Sequence, residues 1–80
     1  ADPARWQRYI LDALVPCWQA SRHGMVLNLL CAATPRIRNH IFYTSLNSMV
    51  AALEARFGDV TWHPTRQAKH DVTFLVTRRS

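Results

Sequence analysis

Eighty residues with 49% hydrophobic side chains, two glycines and four prolines exclude a disordered tail and fit one small domain spanning residues 1–80. A chain this short buries only about 60 to 65% of its unfolded surface, which argues against a deep pocket between domains. Ten basic residues against five acidic ones set the net charge at +5, a balance compatible with an anionic partner such as nucleic acid.

Asp2-Pro3 predicts a helix start, with a side-chain oxygen to cap free amides and a proline where a missing N–H is harmless. Trp6, Ile10, Ala13, Leu14, Cys17 and Trp18 follow the three-and-four spacing of one apolar helical face. Pro16 removes a backbone donor and crowds the carbonyl four residues back, so the helix is expected to kink or to stop near Leu14.

Met25 to Ala32 is almost continuously apolar between Gly24 and Thr34-Pro35, the pattern of a buried strand in which Asn28 stands alone among apolar neighbours. Ile37 to Tyr43 alternates as a second strand, with Ile37, Asn39, Ile41 and Tyr43 on one face and Arg38, His40 and Phe42 on the other; a short helix starting at Thr34-Pro35 competes with it.

Ser45 caps a helix carrying Leu46, Met49, Val50, Leu53 and Phe57, and Gly58 stands where a left-handed C-terminal cap is expected. Val60 and Trp62 alternate with Thr61 and His63, and Val72, Phe74 and Val76 alternate with Thr73, Leu75 and Thr77. These are two strands of a hairpin joined by the polar loop Pro64 to His70. The order α-β-β-α-β-β predicts an α+β two-layer sandwich, an antiparallel sheet of about four strands with both helices on one face.

Residues that could carry chemistry are scattered. Arg22-His23-Gly24 resembles the start of the histidine phosphatase superfamily signature, in which a histidine at the end of a strand becomes the phosphorylated nucleophile. In that family the motif follows its strand, whereas here it precedes Met25-Val26-Leu27, and the tripeptide reads as the turn that launches the strand. Cys17 and Cys31 form no C-x-x-C pair, and His63 and His70 flank a loop, so no metal ligand set is expected. Each cysteine reads as a small buried hydrophobe, and strand and helix rise rates place the two too far apart for an easy disulfide. With five dispersed acidic residues and no motif around Cys17, the chain points away from an enzyme, and no catalytic residue or cofactor is expected.

The longest apolar stretches, Met25 to Leu27 and Leu29 to Ala33, fall far short of the roughly 20 residues needed to cross a bilayer, so no membrane span is expected. Asp2 and Arg5 stand where the apolar core of a signal peptide would lie, so none is expected.

What remains is surface. With Val60, Trp62, Val72, Phe74 and Val76 under the helices, Thr61, His63, Thr73, Leu75 and Thr77 point outward, joined by Arg38, His40 and Phe42. Val26, Leu30 and Leu75 make that face apolar enough to be covered by another chain. Arg66, Lys69, Arg78 and Arg79 form a separate basic cluster. The leading expectation is a non-catalytic protein-protein interaction or assembly module, using a sheet face or a sheet edge against another protein or a second copy of itself. The alternative is a basic module binding single-stranded RNA or DNA through the same face and the basic cluster. A second alternative is a fragment or subunit of a larger enzyme.

Overall fold

The structure is a computed structural model that describes residues 2–32, 34–38, 41–66 and 70–79. Among these residues two helices and five strands follow in the order α1 (Pro3–Ala20), β1 (Gly24–Ala32), β2 (Arg36–Arg38), β3 (Ile41–Ser45), α2 (Leu46–Arg56), β4 (Asp59–Pro64) and β5 (Asp71–Thr77). The strands form one sheet in the order β2-β3-β1-β5-β4, with both helices over one face, so the two-layer α+β expectation holds. The sheet is five-stranded and mixed, because β1 and β3 run parallel.

The region predicted as one strand from Ile37 to Tyr43 is divided. Arg38 pairs with Ile41, so β2 and β3 are an antiparallel pair, and β3 lies between β2 and β1. The chain therefore leaves β1, passes to the sheet edge and returns beside it. This change of direction makes β3 parallel to β1, so the sheet is not antiparallel throughout as expected.

Helix α1 starts as its cap predicts, with the Asp2 carboxylate accepting from the Ala4 amide at 3.0 Å. It does not stop at Leu14 but runs through Pro16 to Ala20. Pro16 lies on the exposed side, where water can serve the carbonyl that its ring leaves without a donor. The helix is also rotated from the predicted face: Leu11 is buried and Leu14 and Trp18 pack on the core, while Trp6, Ala13 and Cys17 are exposed. Apolar residues cover more than half the circumference of α1, so periodicity alone allowed either rotation. Polar pairing selects one, because the buried Thr44 hydroxyl donates to Gln7 Oε1 at 3.0 Å and Gln7 Nε2 donates to Ser48 Oγ at 3.3 Å. Cys17 is consequently a surface residue rather than a buried hydrophobe, and both cysteines are free.

Ser45 caps α2 by accepting from the Ser48 amide at 3.3 Å, and Met49 and Leu53 point into the core. They meet Leu11, Cys31, Val72, Phe74 and Val76, so the core lies between the helices and the middle strands β1 and β5. Gly58 adjoins the end of α2, but its backbone is not left-handed. A Cβ there would stand 2.1 Å from the Thr77 carbonyl oxygen, so close approach to β5 is what requires glycine.

Candidate interaction surface

The sheet face away from the helices is assembled by strand alternation. In the register Val26↔Leu75, Asn28↔Thr73 and Leu30↔Asp71, the even residues of β1 share that face with the odd residues of β5. β4 adds Thr61 beside Leu75 and His63 beside Thr73. β3 adds Ile41 and Tyr43, and β2 adds Arg38 opposite Ile41 and Arg36 opposite Tyr43. Val26 is 65% exposed, Ile41 45% and Leu75 38%, a large apolar exposure for so small a domain.

Polar residues on this face satisfy one another or meet water. Asn28, isolated in the sequence, accepts from the Thr73 hydroxyl at 3.3 Å on the neighbouring strand. At the β2 end, the Arg36 guanidinium lies 5.3 Å from the Tyr43 ring centre, and Tyr43 meets the His70 ring edge-on at 5.4 Å. The Cys31 carbonyl accepts from His70 Nδ1 at 3.1 Å, and the Cys31 amide donates to the His70 carbonyl at 2.8 Å. The described ion pairs are Arg56–Asp12 and Arg79–Asp59, so Arg36 and Arg38 have no acidic partner among the described residues.

Of the residues predicted to form the surface, Leu75, Thr73, Thr61, His63 and Arg38 lie on the open face. Phe42 does not. It pairs with Ile37 and shares the helix-bearing face with Thr44, because the parity of the strand is reset between Arg38 and Ile41. His40 lies outside the described residues. The same reset brings Ile41, Tyr43 and Arg36 to the open face, where reading one continuous strand had missed them. Trp62 shares the helix-side face with Phe74, but on the outermost strand it remains 42% exposed.

The basic cluster is dispersed. Arg66 precedes β5, whereas Arg78 and Arg79 follow it, a separation of about 20 Å along the strand. Lys69 lies outside the described residues. Arg78 stacks 4.3 Å above the Trp18 ring and donates to the carbonyls of Trp18 and Ser21 at the C-terminal end of α1. Arg79 donates to the Glu54 carbonyl near the end of α2 and to Asp59. Both bring a cation to the C-terminal end of a helix, where the dipole favours it, and at α1 Arg78 adds to the bonds that the Ser21 amide and hydroxyl already donate to the Trp18 carbonyl. Arg78→Ala is expected to lower stability by about 1 to 2 kcal/mol after allowance for solvent, read from the urea midpoint. Arg78→Lys should recover little, because an ammonium lacks the planar fork.

Elsewhere the chemistry is sparse. No three His, Cys, Asp or Glu side chains converge as a metal ligand set among the described residues. Burial, reinforced by the charge of Asp71, pushes the Cys31 thiol up and so keeps it from becoming a thiolate nucleophile. Arg22 and His23 lie in the bend before β1, where the His23 carbonyl accepts from the Arg78 amide at 3.0 Å. No helix is long and apolar enough to cross a membrane among the described residues.

Fold and surface together define a small two-layer α+β domain with an open, mixed five-stranded sheet. No protein family, curated protein or solved structure matches the chain.

Proposed function

We propose that this domain is a non-catalytic interaction or assembly module whose open sheet face is covered by another protein chain. The observation that carries this reading is the direct pairing of exposed Val26 with exposed Leu75, on a face shared with Leu30 and Ile41. Covering those side chains would release their hydration water, while Asn28 and Thr73 already satisfy each other and need little from the partner. Arg36 and Arg38 border the apolar area and supply a charged rim that favours an acidic edge on the partner.

A second reading rests on the same corner of the sheet. Arg36, Arg38 and Tyr43 combine cationic groups with an aromatic ring on an open face, the combination that holds a phosphate backbone and stacks a base. The single-stranded nucleic-acid reading therefore shifts away from Phe42 and the C-terminal arginines toward these three residues.

A photo-crosslinking side chain placed at Val26, in cells of the source organism, distinguishes the readings. A discrete protein adduct is expected, with none from the same group at Ala51 on the exposed side of α2. Leu75→Glu should abolish that adduct while leaving thermal stability nearly unchanged, since the side chain is already partly in water. A nucleic-acid adduct that disappears at high salt would instead support the second reading. Equal labelling at Val26 and Ala51 would overturn the role of the face.

A further inference from the structure

The two outer strands of the sheet are protected very differently. β2 is three residues long and carries Arg36 and Arg38, so its edge is both short and charged. Those are two ordinary means of blocking strand addition. β4 is six residues long, pairs with β5 without interruption and has its one proline in the last position. It carries no lysine or arginine, and its Trp62 is 42% exposed.

The register shows which main-chain groups β4 leaves free. The Thr65 amide donates to the Asp71 carbonyl at 2.9 Å, which assigns Thr65 to the residues that bond β5. By antiparallel alternation His63, Thr61 and Asp59 do the same, and Val60 and Trp62 turn their N–H and C=O groups outward, with the Pro64 carbonyl beyond. Among the described residues no turn, loop or cap hydrogen bond reaches Val60 or Trp62.

We infer that a second copy of this chain pairs antiparallel with β4, about a two-fold axis at Thr61, joining the two sheets into one. In that register Val60 faces the partner's Trp62 and Trp62 faces the partner's Val60, all four with outward main-chain groups, giving about four inter-chain hydrogen bonds. On the helix side each exposed indole lies beside a valine of the other copy, an apolar cross-strand pair formed twice. On the open side Asp59 stands opposite the partner's His63, a carboxylate facing a hydrogen-bond donor, again formed twice. Asp59 uses Oδ1 for Arg79, and Oδ2 has no partner among the described residues, on a side chain that remains 67% exposed.

The axis position follows from Pro64. An axis at Trp62 or His63 brings Pro64 opposite Val60 or Trp62, where its missing N–H leaves a carbonyl unmet, and it separates Asp59 from His63. The axis at Thr61 avoids both losses. One surface then serves both copies in the manner of a closed two-fold dimer.

This contact is independent of whatever covers the open face, and charge reversal at the axis tests it. Light scattering and sedimentation of the whole chain should show a dimer. Thr61→Lys and Thr61→Glu should each weaken it by about tenfold or more, because identical charges then face each other across the axis. Mixing the two variants in equal amounts should restore the dimer. Thr61 is exposed in the single chain, so both variants should still fold, with the melting temperature that the wild type shows at concentrations where its dimer has dissociated.

Should either variant fail to fold, Thr61→Cys in a Cys17→Ser background supplies the same information. A non-hydrogen-bonded antiparallel pair has Cα atoms about 4.5 Å apart, within disulfide reach, so mild oxidation should give a covalent dimer. His63→Cys in the same background should not, because it faces Asp59. A wild-type chain that stays monomeric up to about 1 mM overturns the inference. So does a dimer that ignores both charge variants, one that mixing fails to restore, or one dissociated by Leu75→Glu but not by the changes at Thr61.

Discussion

Phe74→Ala is expected to remove most of the stability of this domain, by about 3 to 5 kcal/mol. Phe74 is fully buried on β5, between strand neighbours Leu27 and Trp62, in the core shared with Met49 and Leu53. Truncation removes the apolar area of the ring and leaves a cavity that β1 and β4 cannot close without breaking their pairing with β5. A domain of this length holds only about 4 to 12 kcal/mol in total, so a fall in melting temperature of about 15 to 30 °C is expected. The neighbouring Leu75→Ala, on the open face, should change stability by less than about 1 kcal/mol. Equal losses from the two substitutions, measured by urea titration, would mean that the open face is already packed against something in the isolated protein.

Gly58→Ala is the second large effect, expected to destabilise by about 3 kcal/mol, the upper end for an overpacked site. The added methyl would stand 2.1 Å from the Thr77 carbonyl oxygen and 3.2 Å from Trp18 Cη2. A backbone oxygen inside a ladder cannot swing away as a long side chain can. Relief requires β5 to move from the start of β4, where Asp59 pairs with Thr77, or α1 to shift Trp18 from Phe57, 5.5 Å away between ring centres. Either movement also disturbs Arg78, which holds the end of α1 from the residue after Thr77. A loss below about 1 kcal/mol at the urea midpoint would show that this corner yields easily and that the close approach to β5 does not require glycine.

Much of the local structure was legible in the residues. The spacing of Leu46, Met49, Val50 and Leu53 between Ser45 and Gly58 marked α2, and the alternation of Val72, Phe74 and Val76 marked the buried side of β5. These signals are strong because capping and alternation act within a few residues. The open-face residues on β4 and β5 followed from the same alternation. Phe42 failed because Ile41, Phe42 and Tyr43 are all large and apolar, so they carry no alternation from which to detect a change of parity.

The arginines show a different kind of limit. Arg78 and Arg79 look alike in a basic C-terminal run, and nothing adjacent to them reveals that α1 and α2 both end beside the end of β5. Trp6 and Cys17 fit an apolar helical stripe as well as Leu11 does, and the rotation adopted goes with contacts to distant residues, among them the bond between Gln7 and Thr44, thirty-seven residues apart.

By itself the sequence indicated where α1, β1, α2, β4 and β5 begin, which faces of β1, β4 and β5 turn inward, and a two-layer α+β arrangement. The tertiary structure alone decided that β3 enters between β2 and β1, that α1 turns Leu11 rather than Trp6 to the sheet, and that β4 is an outer strand of the sheet. The reason is range: caps and periodicity are set by neighbours a few bonds away, whereas strand order and helix rotation are set by burial and hydrogen bonds between distant residues.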